Sequence, residues 1–289
     1  MSSASTNTDH YAVFGNPIAH SRSPTIHRLF AEQTGECLDY TRQEVMLDGF
    51  PDAVQGFFAD GPSGRNKGLN VTVPFKEQAH ALCDWLDEAA RLAGAVNTLT
   101  LDTQGLLCGY NTDGSGLLRD LEQNLGATLA DARILLVGAG GAARGAVHPL
   151  LDRRPQLLTI TNRSLQRAEH LAELVRQTHS ERPLDVRPFA ACAGGNYDLV
   201  INATSAGLGN DRPALPDGVF SNTNALAYDM VYGAEATAFE RWALASGARR
   251  ASNGLGMLVE QAADAFLIWR GKRPATAAVI SVLRATIGH

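Results

Sequence analysis

The chain has 289 residues, 45% hydrophobic and 19% charged, a composition that can bury one large core or two ordinary ones and is not that of a disordered chain. The formal charge of −5, with no segment gathering Lys and Arg into a basic stripe, argues against nucleic acid or an anionic membrane as a partner. Cys37, Cys83, Cys108 and Cys192 are scattered without a CxxC pair, the first ten residues are polar, and no apolar run is long enough to span a bilayer. These features predict a soluble, cytoplasmic protein with neither a disulfide framework nor a structural metal.

In chain order, Tyr11–Gly15 reads as a strand, followed by a helix from about Pro24 with Ile26, Leu29 and Phe30 on one face. Ser23 before Pro24 predicts an N-cap followed by proline at the first helical position. Strand-like runs follow at Leu38–Val45, Gly68–Val73 and Ala95–Leu101, separated by helical patterns such as Phe50, Val54, Phe57 and Phe58. This alternation predicts a largely parallel sheet with helices on both faces. A helix from Asp113 to Leu125 links to a second alternating unit. That unit holds Ile134–Val137, a helix through Leu151, Leu157–Thr161, a helix over Leu165–Gln177, and strands at Tyr197–Asn202 and Ala227–Val231. Residues Gly254 to Ile287 read as two helices broken at Gly271–Pro274. With no strand of their own to pack on, they are expected to return to the first domain, leaving a cleft between the lobes. The expected fold is therefore α/β with two domains: residues 1–112 plus 253–289, and residues 113–252.

Gly138, Gly140 and Ala143 form a GxGxxA pattern directly after a strand and before a helix. The first glycine permits a tight turn and the second lets a pyrophosphate reach the backbone, while the helix start offers free N–H groups and its positive dipole end. The second domain is thus a Rossmann-type dinucleotide-binding unit. The next strand ends in Thr161, Asn162, Arg163 and Ser164, with Arg167 four residues beyond Arg163. There is no carboxylate there to hold a ribose 2′-OH, and two arginines at i, i+4 suit a 2′-phosphate, so NADP is expected rather than NAD.

Three segments of the first domain place polar residues where strands give way to loops: Asn70–Lys76, Gly94–Thr98 and Gly109–Gly114. Sheet edges of this kind bind ligands, and converging amide, hydroxyl, ammonium and carboxylate groups suit a small polyhydroxylated molecule. Lys76 is one of only three lysines, with Lys67 and Lys272, in a chain that otherwise uses arginine. Unlike arginine, lysine can give up its proton, which makes Lys76 a candidate acid–base group beside a carboxylate such as Asp113. A surface lysine on the following helix and an ordinary Asp-Gly cap are the plainer readings of these two residues. Ser21 and Ser23 can hold a carboxylate or merely cap a helix. His20 and His27 have no ligand spacing, and no GxSxG elbow supports a hydrolase.

Taken together, Phe14–Pro24, Asn70–Lys76 with Glu77, Gly94–Thr98, Asn111–Gly114, Gly138–Ala142, Asn202–Gly207 and Gly254–Gln261 resemble the shikimate dehydrogenase family, in its order, over residues 14 to 261. The resemblance implies reversible reduction of 3-dehydroshikimate to shikimate by NADPH in the biosynthesis of aromatic amino acids. It implies Lys76 and Asp113 as the catalytic pair, with Lys76 donating a proton to the developing alkoxide and Asp113 orienting Lys76 and the neighbouring hydroxyl. Ser21 and Ser23 match carboxylate-binding serines. Thr72, Asn97 and Gln261 match side chains that hold ring hydroxyls, with Tyr232 a further substrate contact. Gly138, Ala139, Gly140, Gly141 and Ala142 match the pyrophosphate loop, and Asn162, Arg163, Ser164 and Arg167 the 2′-phosphate loop. Met230 and Gly254 match positions beside the nicotinamide, and Glu88 a cofactor neighbour. Arg28 stands where the family often has asparagine, and Gly233-Ala234 where many members carry a proline. The rival readings are a quinate/shikimate dehydrogenase using NAD, and a non-catalytic NADP-binding sensor on the same fold. A homodimer is compatible with the sequence, which does not fix an oligomeric state.

Overall fold

The computed structural model describes residues 8–204, 211–221 and 224–287, so Ser205, Ala206 and Gly207 of the 202–207 motif lie outside the described residues. The chain divides into two compact units, crossing between them at 112/113, 260/261 and 279/280.

The first unit contains β1 (Asp9–Gly15), α1 (Ser23–Thr34), β2 (Leu38–Glu44), α2 (Phe50–Phe57), β3 (Asn66–Val71), α3 (Lys76–Leu82), β4 (Trp85–Leu86), α4 (Glu88–Ala93), β5 (Thr98–Leu101) and β6 (Leu107–Tyr110). They form one sheet in the order β2-β1-β3-β5-β6-β4. It is mixed rather than largely parallel, because β5 runs antiparallel to both β3 and β6. The cause is the connection: β5 and β6 are joined by five residues with no helix between them, and a hairpin can only pair antiparallel strands. Asp102 shapes that turn by accepting the N–H groups of Gln104 and Leu106 at 2.8 and 2.9 Å. Beneath the sheet, Phe14, Leu69 and Leu99 pack with Phe50 and Phe75, whose rings stack at 4.7 Å. Each such fully buried side chain contributes roughly 1.5–3 kcal/mol.

At the start of α1 the expected cap is displaced by one residue. Arg22 occupies the N-cap without a side-chain cap bond, and Ser23 opens the helix with Pro24 behind it. The Ser23 N–H instead points to the Ser21 hydroxyl at 3.3 Å.

The second unit contains α5 (Asp113–Arg119), β7 (Arg133–Val137), α6 (Gly141–Asp152), β8 (Leu157–Thr161), α7 (Leu165–Arg176), β9 (Leu184–Val186), β10 (Leu199–Asn202), β11 (Leu226–Asp229), α8 (Ala238–Ala245) and β12 (Arg250–Asn253). Its strands are all parallel, in the order β12-β11-β10-β7-β8-β9. The chain starts in the middle at β7 and reverses direction between β9 and β10, which is the doubly wound Rossmann-type arrangement. Ile134, Leu135, Leu136 and Val137 have no exposed surface, as a central parallel strand covered on both faces requires. The expected helix from Asp113 to Leu125 is α-helical only to Arg119 and then makes a π-helical turn over Asp120–Asn124.

Two helices, α9 (Leu255–Arg270) and α10 (Ala277–Ile287), close the chain, with the break at Gly271–Pro274 where the sequence placed it. Residues 255–260 of α9 and residues 280–287 of α10 group with the second unit, whereas the sequence reading assigned everything after 252 to the first. Contacts explain the placement of residues 255–260. Asn124 donates to Glu260 at 3.1 Å, and Gly256 lies so close to the Asp120 carboxylate that a side chain there would collide with it.

Candidate active site

In the first unit the candidate substrate residues gather at one edge of the sheet. Thr72 follows β3 and donates its N–H to the Phe14 carbonyl at 2.9 Å. Gly15 makes room for it, since a Cβ there would strike the Thr72 methyl group. The turn then closes through the Phe75 N–H to the Thr72 carbonyl at 3.0 Å, and α3 begins with a half-buried Lys76. Ser21 and Ser23 lie before and at the start of α1, with hydroxyl oxygens 3.2 Å apart. Neither is the N-cap residue of α1, although the Ser21 hydroxyl accepts the first N–H of that helix, from Ser23, at 3.3 Å.

Asn97 is buried just before β5. Its Oδ1 accepts the Thr112 N–H at 3.0 Å and the Thr98 hydroxyl at 2.9 Å. Its Nδ2 faces the Thr112 hydroxyl at 3.0 Å and Gln261 Oε1 at 3.4 Å. Gln261 therefore meets Asn97 within the first unit, although 164 residues separate them.

In the second unit Asp113 is buried at the first residue of α5. Gly138 follows β7 with φ 127°, and a Cβ there would come within 2.9 Å of the Ala203 carbonyl. Gly140 is the N-cap of α6 and supplies no side-chain cap, while the space over both Gly140 and Gly141 is open. Ala139 and Ala142 flank this turn, and Ala143 packs α6 onto the sheet with no exposed surface. A helix start with uncapped N–H groups, bare backbone and open space above it fits a dinucleotide pyrophosphate. The neighbouring strand supplies the rest. Gly138 N–H donates to the Thr161 carbonyl at 2.8 Å, placing Asn162 and the pyrophosphate loop at the same sheet edge. Asn162 Nδ2 holds the Ser164 carbonyl at 2.9 Å, Ser164 caps α7 by position, and Arg163 and Arg167 stand exposed beyond it. The donor set there is cationic with no carboxylate among these residues, which fits a 2′-phosphate. The residues present thus fit NADP.

The chain matches three family descriptions: the shikimate dehydrogenase substrate binding domain over residues 13–99, shikimate/quinate 5-dehydrogenase over 120–208, and the shikimate 5′-dehydrogenase C-terminal domain over 254–284. A relative from Alkalilimnicola ehrlichii, described as shikimate dehydrogenase (NADP(+)), is 53% identical over 96% of this chain and 99% of its own. The chain belongs to the shikimate dehydrogenase family. Solved structures of similar shape include that of an Ael1 enzyme from Pseudomonas putida, 45% identical with a TM-score of 0.87 over 96% of this chain and 98% of that one. Another is shikimate 5-dehydrogenase from Thermus thermophilus in complex with NADP(H) and shikimate, 32% identical with a TM-score of 0.82 over 96% and 99% of the two chains.

Set against that family, the remaining expected positions fall as follows. Met230 follows β11, its N–H on the Asn202 carbonyl at 2.9 Å, and Gly254 lies against the Met230 carbonyl so tightly that no side chain fits. Tyr232 is half-buried in the loop after β11. Glu88 is exposed at the start of α4, on the first unit, whereas the other cofactor candidates belong to the second.

Two groups of residues escaped the sequence reading. Asp229 has no exposed surface and accepts from Asn202 Nδ2 at 3.0 Å, the Val231 N–H at 3.1 Å and the Thr237 hydroxyl at 2.6 Å. Burial raises its pKa above the usual carboxylate range, and these donors work against that rise. It anchors the turn that carries Met230 and Tyr232. The second group is Tyr40, Asn70 and Thr98, beneath Asn97. Asn70 stood in a quoted motif but received no role, and Tyr40 looked like any aromatic residue of a strand.

Proposed function

We propose that this chain is an NADP-dependent shikimate dehydrogenase, reversibly reducing 3-dehydroshikimate to shikimate in aromatic amino acid biosynthesis. The observation that carries the reading is the coexistence of two half-sites in one chain. One is a sheet edge of hydroxyl, amide and ammonium groups on the first unit; the other is a bare glycine turn with two arginines beside it on the second. The first unit is accordingly the substrate-binding domain and the second the NADP-binding domain.

When bound, NADPH supplies the hydride that adds to the C3 carbonyl carbon. Everything else is done by side chains. Ser21 and Ser23 offer hydroxyl protons to the ring carboxylate. Thr72, Asn97, Gln261 and Tyr232 hold ring hydroxyls, each of which would lose hydrogen bonds to water without a partner. Lys76 gives its proton to the C3 oxygen as negative charge develops there, and takes it back in the oxidation direction. Asp113 supplies a carboxylate acceptor for a ring hydroxyl. Gly138, Ala139, Gly140, Gly141 and Ala142 receive the pyrophosphate. Asn162, Arg163, Ser164 and Arg167 hold the 2′-phosphate, and Met230, Gly254 and Glu88 border the cofactor.

No helix among the described residues is long and apolar enough to cross a membrane, and the four cysteines are unpaired. Both support a cytoplasmic location. A homodimer is the assembly to test by light scattering.

The test is the rate of NADPH formation from shikimate by the wild type and by Lys76→Ala. The variant should lose about 10²–10⁴-fold in kcat, the range for removal of a general acid–base group. Near wild-type turnover would overturn the role of Lys76.

A further inference from the structure

Beneath Asn97 lies a chain of buried polar groups whose hydrogen-bond directions can be worked out. Asn70 Nδ2 lies 3.1 Å from the Asn97 carbonyl oxygen and 3.0 Å from Thr98 Oγ1. A backbone carbonyl only accepts, so the NH₂ end of the Asn70 amide must face it. Its Oδ1 therefore faces Tyr40, whose phenol donates to it at 2.6 Å. One Asn70 proton then goes to Thr98 Oγ1, so the hydroxyl accepts there and has its own proton to give. Asn97 Oδ1, 2.9 Å away, receives it. The run is Tyr40 to Asn70 to Thr98 to Asn97, each donating to the next.

Asn97 Oδ1 is thus clamped by two donors, Thr98 and the Thr112 N–H, and its NH₂ end is turned to Thr112 Oγ1 and Gln261 Oε1. Thr98 has no exposed surface, so it touches no ligand itself. It sits on β5, paired with Asn70 on β3 and Tyr110 on β6, which leaves its hydroxyl little freedom to move.

We propose that Thr98 is a positioning residue for substrate binding, which locks the Asn97 side-chain amide so that its NH₂ end stays presented beside Gln261. The proposal rests on Asn97 and Gln261 holding ring hydroxyls, as argued above. An interaction made equally with bound substrate and with the transition state changes KM and leaves kcat alone. Loss of the lock therefore has a defined kinetic signature, which a general loss of fold does not share.

The experiment is steady-state oxidation of shikimate with NADP by the wild type, Thr98→Val, Thr98→Ser, Asn97→Ala and the double variant Asn97→Ala/Thr98→Val. Valine keeps the shape of threonine and removes the hydroxyl. It should raise KM for shikimate about 5–10-fold, the effect of one buried hydrogen bond, with kcat and KM for NADP within about twofold. Serine retains the donor and should restore KM. With Asn97 already removed, adding Thr98→Val should change KM less than about twofold, because the two residues act as one unit. Should the valine variant not fold, Thr98→Ala, read against the serine variant, gives the same comparison. Unchanged KM in Thr98→Val or Thr98→Ala, equal effects of serine and valine, or full additivity with Asn97→Ala would each overturn the proposal. A wild type that oxidises no shikimate would instead overturn the functional reading and this proposal with it, so the two failures are told apart by the first assay.

Discussion

Acidification should destabilise the first unit through a single side chain, His27. It lies on α1 with no exposed surface, stacked on Tyr40 with ring centroids 4.3 Å apart and planes 4° from parallel. Phe30, Phe266 and Trp269 surround it. Asn70 lies near, yet neither ring nitrogen makes a well-formed hydrogen bond. Burial in these aromatic surroundings lowers its pKa from 6.5 to about 3. The unfolded chain therefore takes up a proton as pH falls through 6.5, and the folded chain does not until near 3. Stability must rise with pH across that window and level off above it. Each pH unit inside the window is worth about 1.4 kcal/mol, so the loss on going from about pH 7 to about pH 5 is about 2 kcal/mol. His27→Phe keeps a ring in the stack and removes the proton site. Urea unfolding followed by circular dichroism at both pH values, on both proteins, isolates the term, because carboxylates that titrate in the same range cancel in the difference. The wild type should lose about 2 kcal/mol more than the variant. Parallel pH profiles, or an NMR titration of the ring midway near pH 6 in the folded protein, would refute the argument.

Other predictions concern the second unit and separate binding from folding. Gly140→Val places a side chain in open space, so the protein should fold, losing no more than about 1 kcal/mol through a poorer N-cap for α6, while KM for NADP rises more than about tenfold; an unchanged KM would remove the turn from the cofactor site. Arg163→Ala and Arg167→Ala should each lower kcat/KM with NADP about 10–100-fold and leave the NAD reaction as it was, a charge-assisted hydrogen bond being worth about 1.5–3 kcal/mol. An equal loss with both cofactors would deny the 2′-phosphate role. Thr237 caps α8 with Glu240 in a reciprocal box and also donates to buried Asp229 at 2.6 Å. Thr237→Ala should therefore cost about 1–3 kcal/mol in urea unfolding, and a cost below about 0.5 kcal/mol would show that the box carries little.

The parts legible in the sequence were those set by local pattern. Ile134–Val137 could only be a strand buried on both faces, and the glycines that follow it could only be a turn against a helix start. Lys76 stood out through the scarcity of lysine. What escaped was set by partners distant in sequence or by weak pattern. Leu184–Val186 and Arg250–Asn253 are short edge strands with exposed or half-buried side chains, and neither shows a hydrophobic alternation. The Ala238–Ala245 helix did carry a signal, the Thr237–Glu240 capping pair, which went unread. Tyr40 and Asn70 are 30 residues apart, and Asn70 and Thr98 are 28 apart. No periodicity brings such residues together; sheet register does. Ser23 shows the opposite failure, where a sound local rule, serine before proline, yielded to the Ser21 hydroxyl as partner for its N–H.

The most direct test of the whole account is absorbance at 340 nm with purified protein, offering shikimate and quinate, each with NADP and with NAD. Rapid reduction of NADP with shikimate is expected, and little with quinate or NAD. Turnover of quinate with NAD as the preferred pair, or no turnover with any of the four, would contradict it.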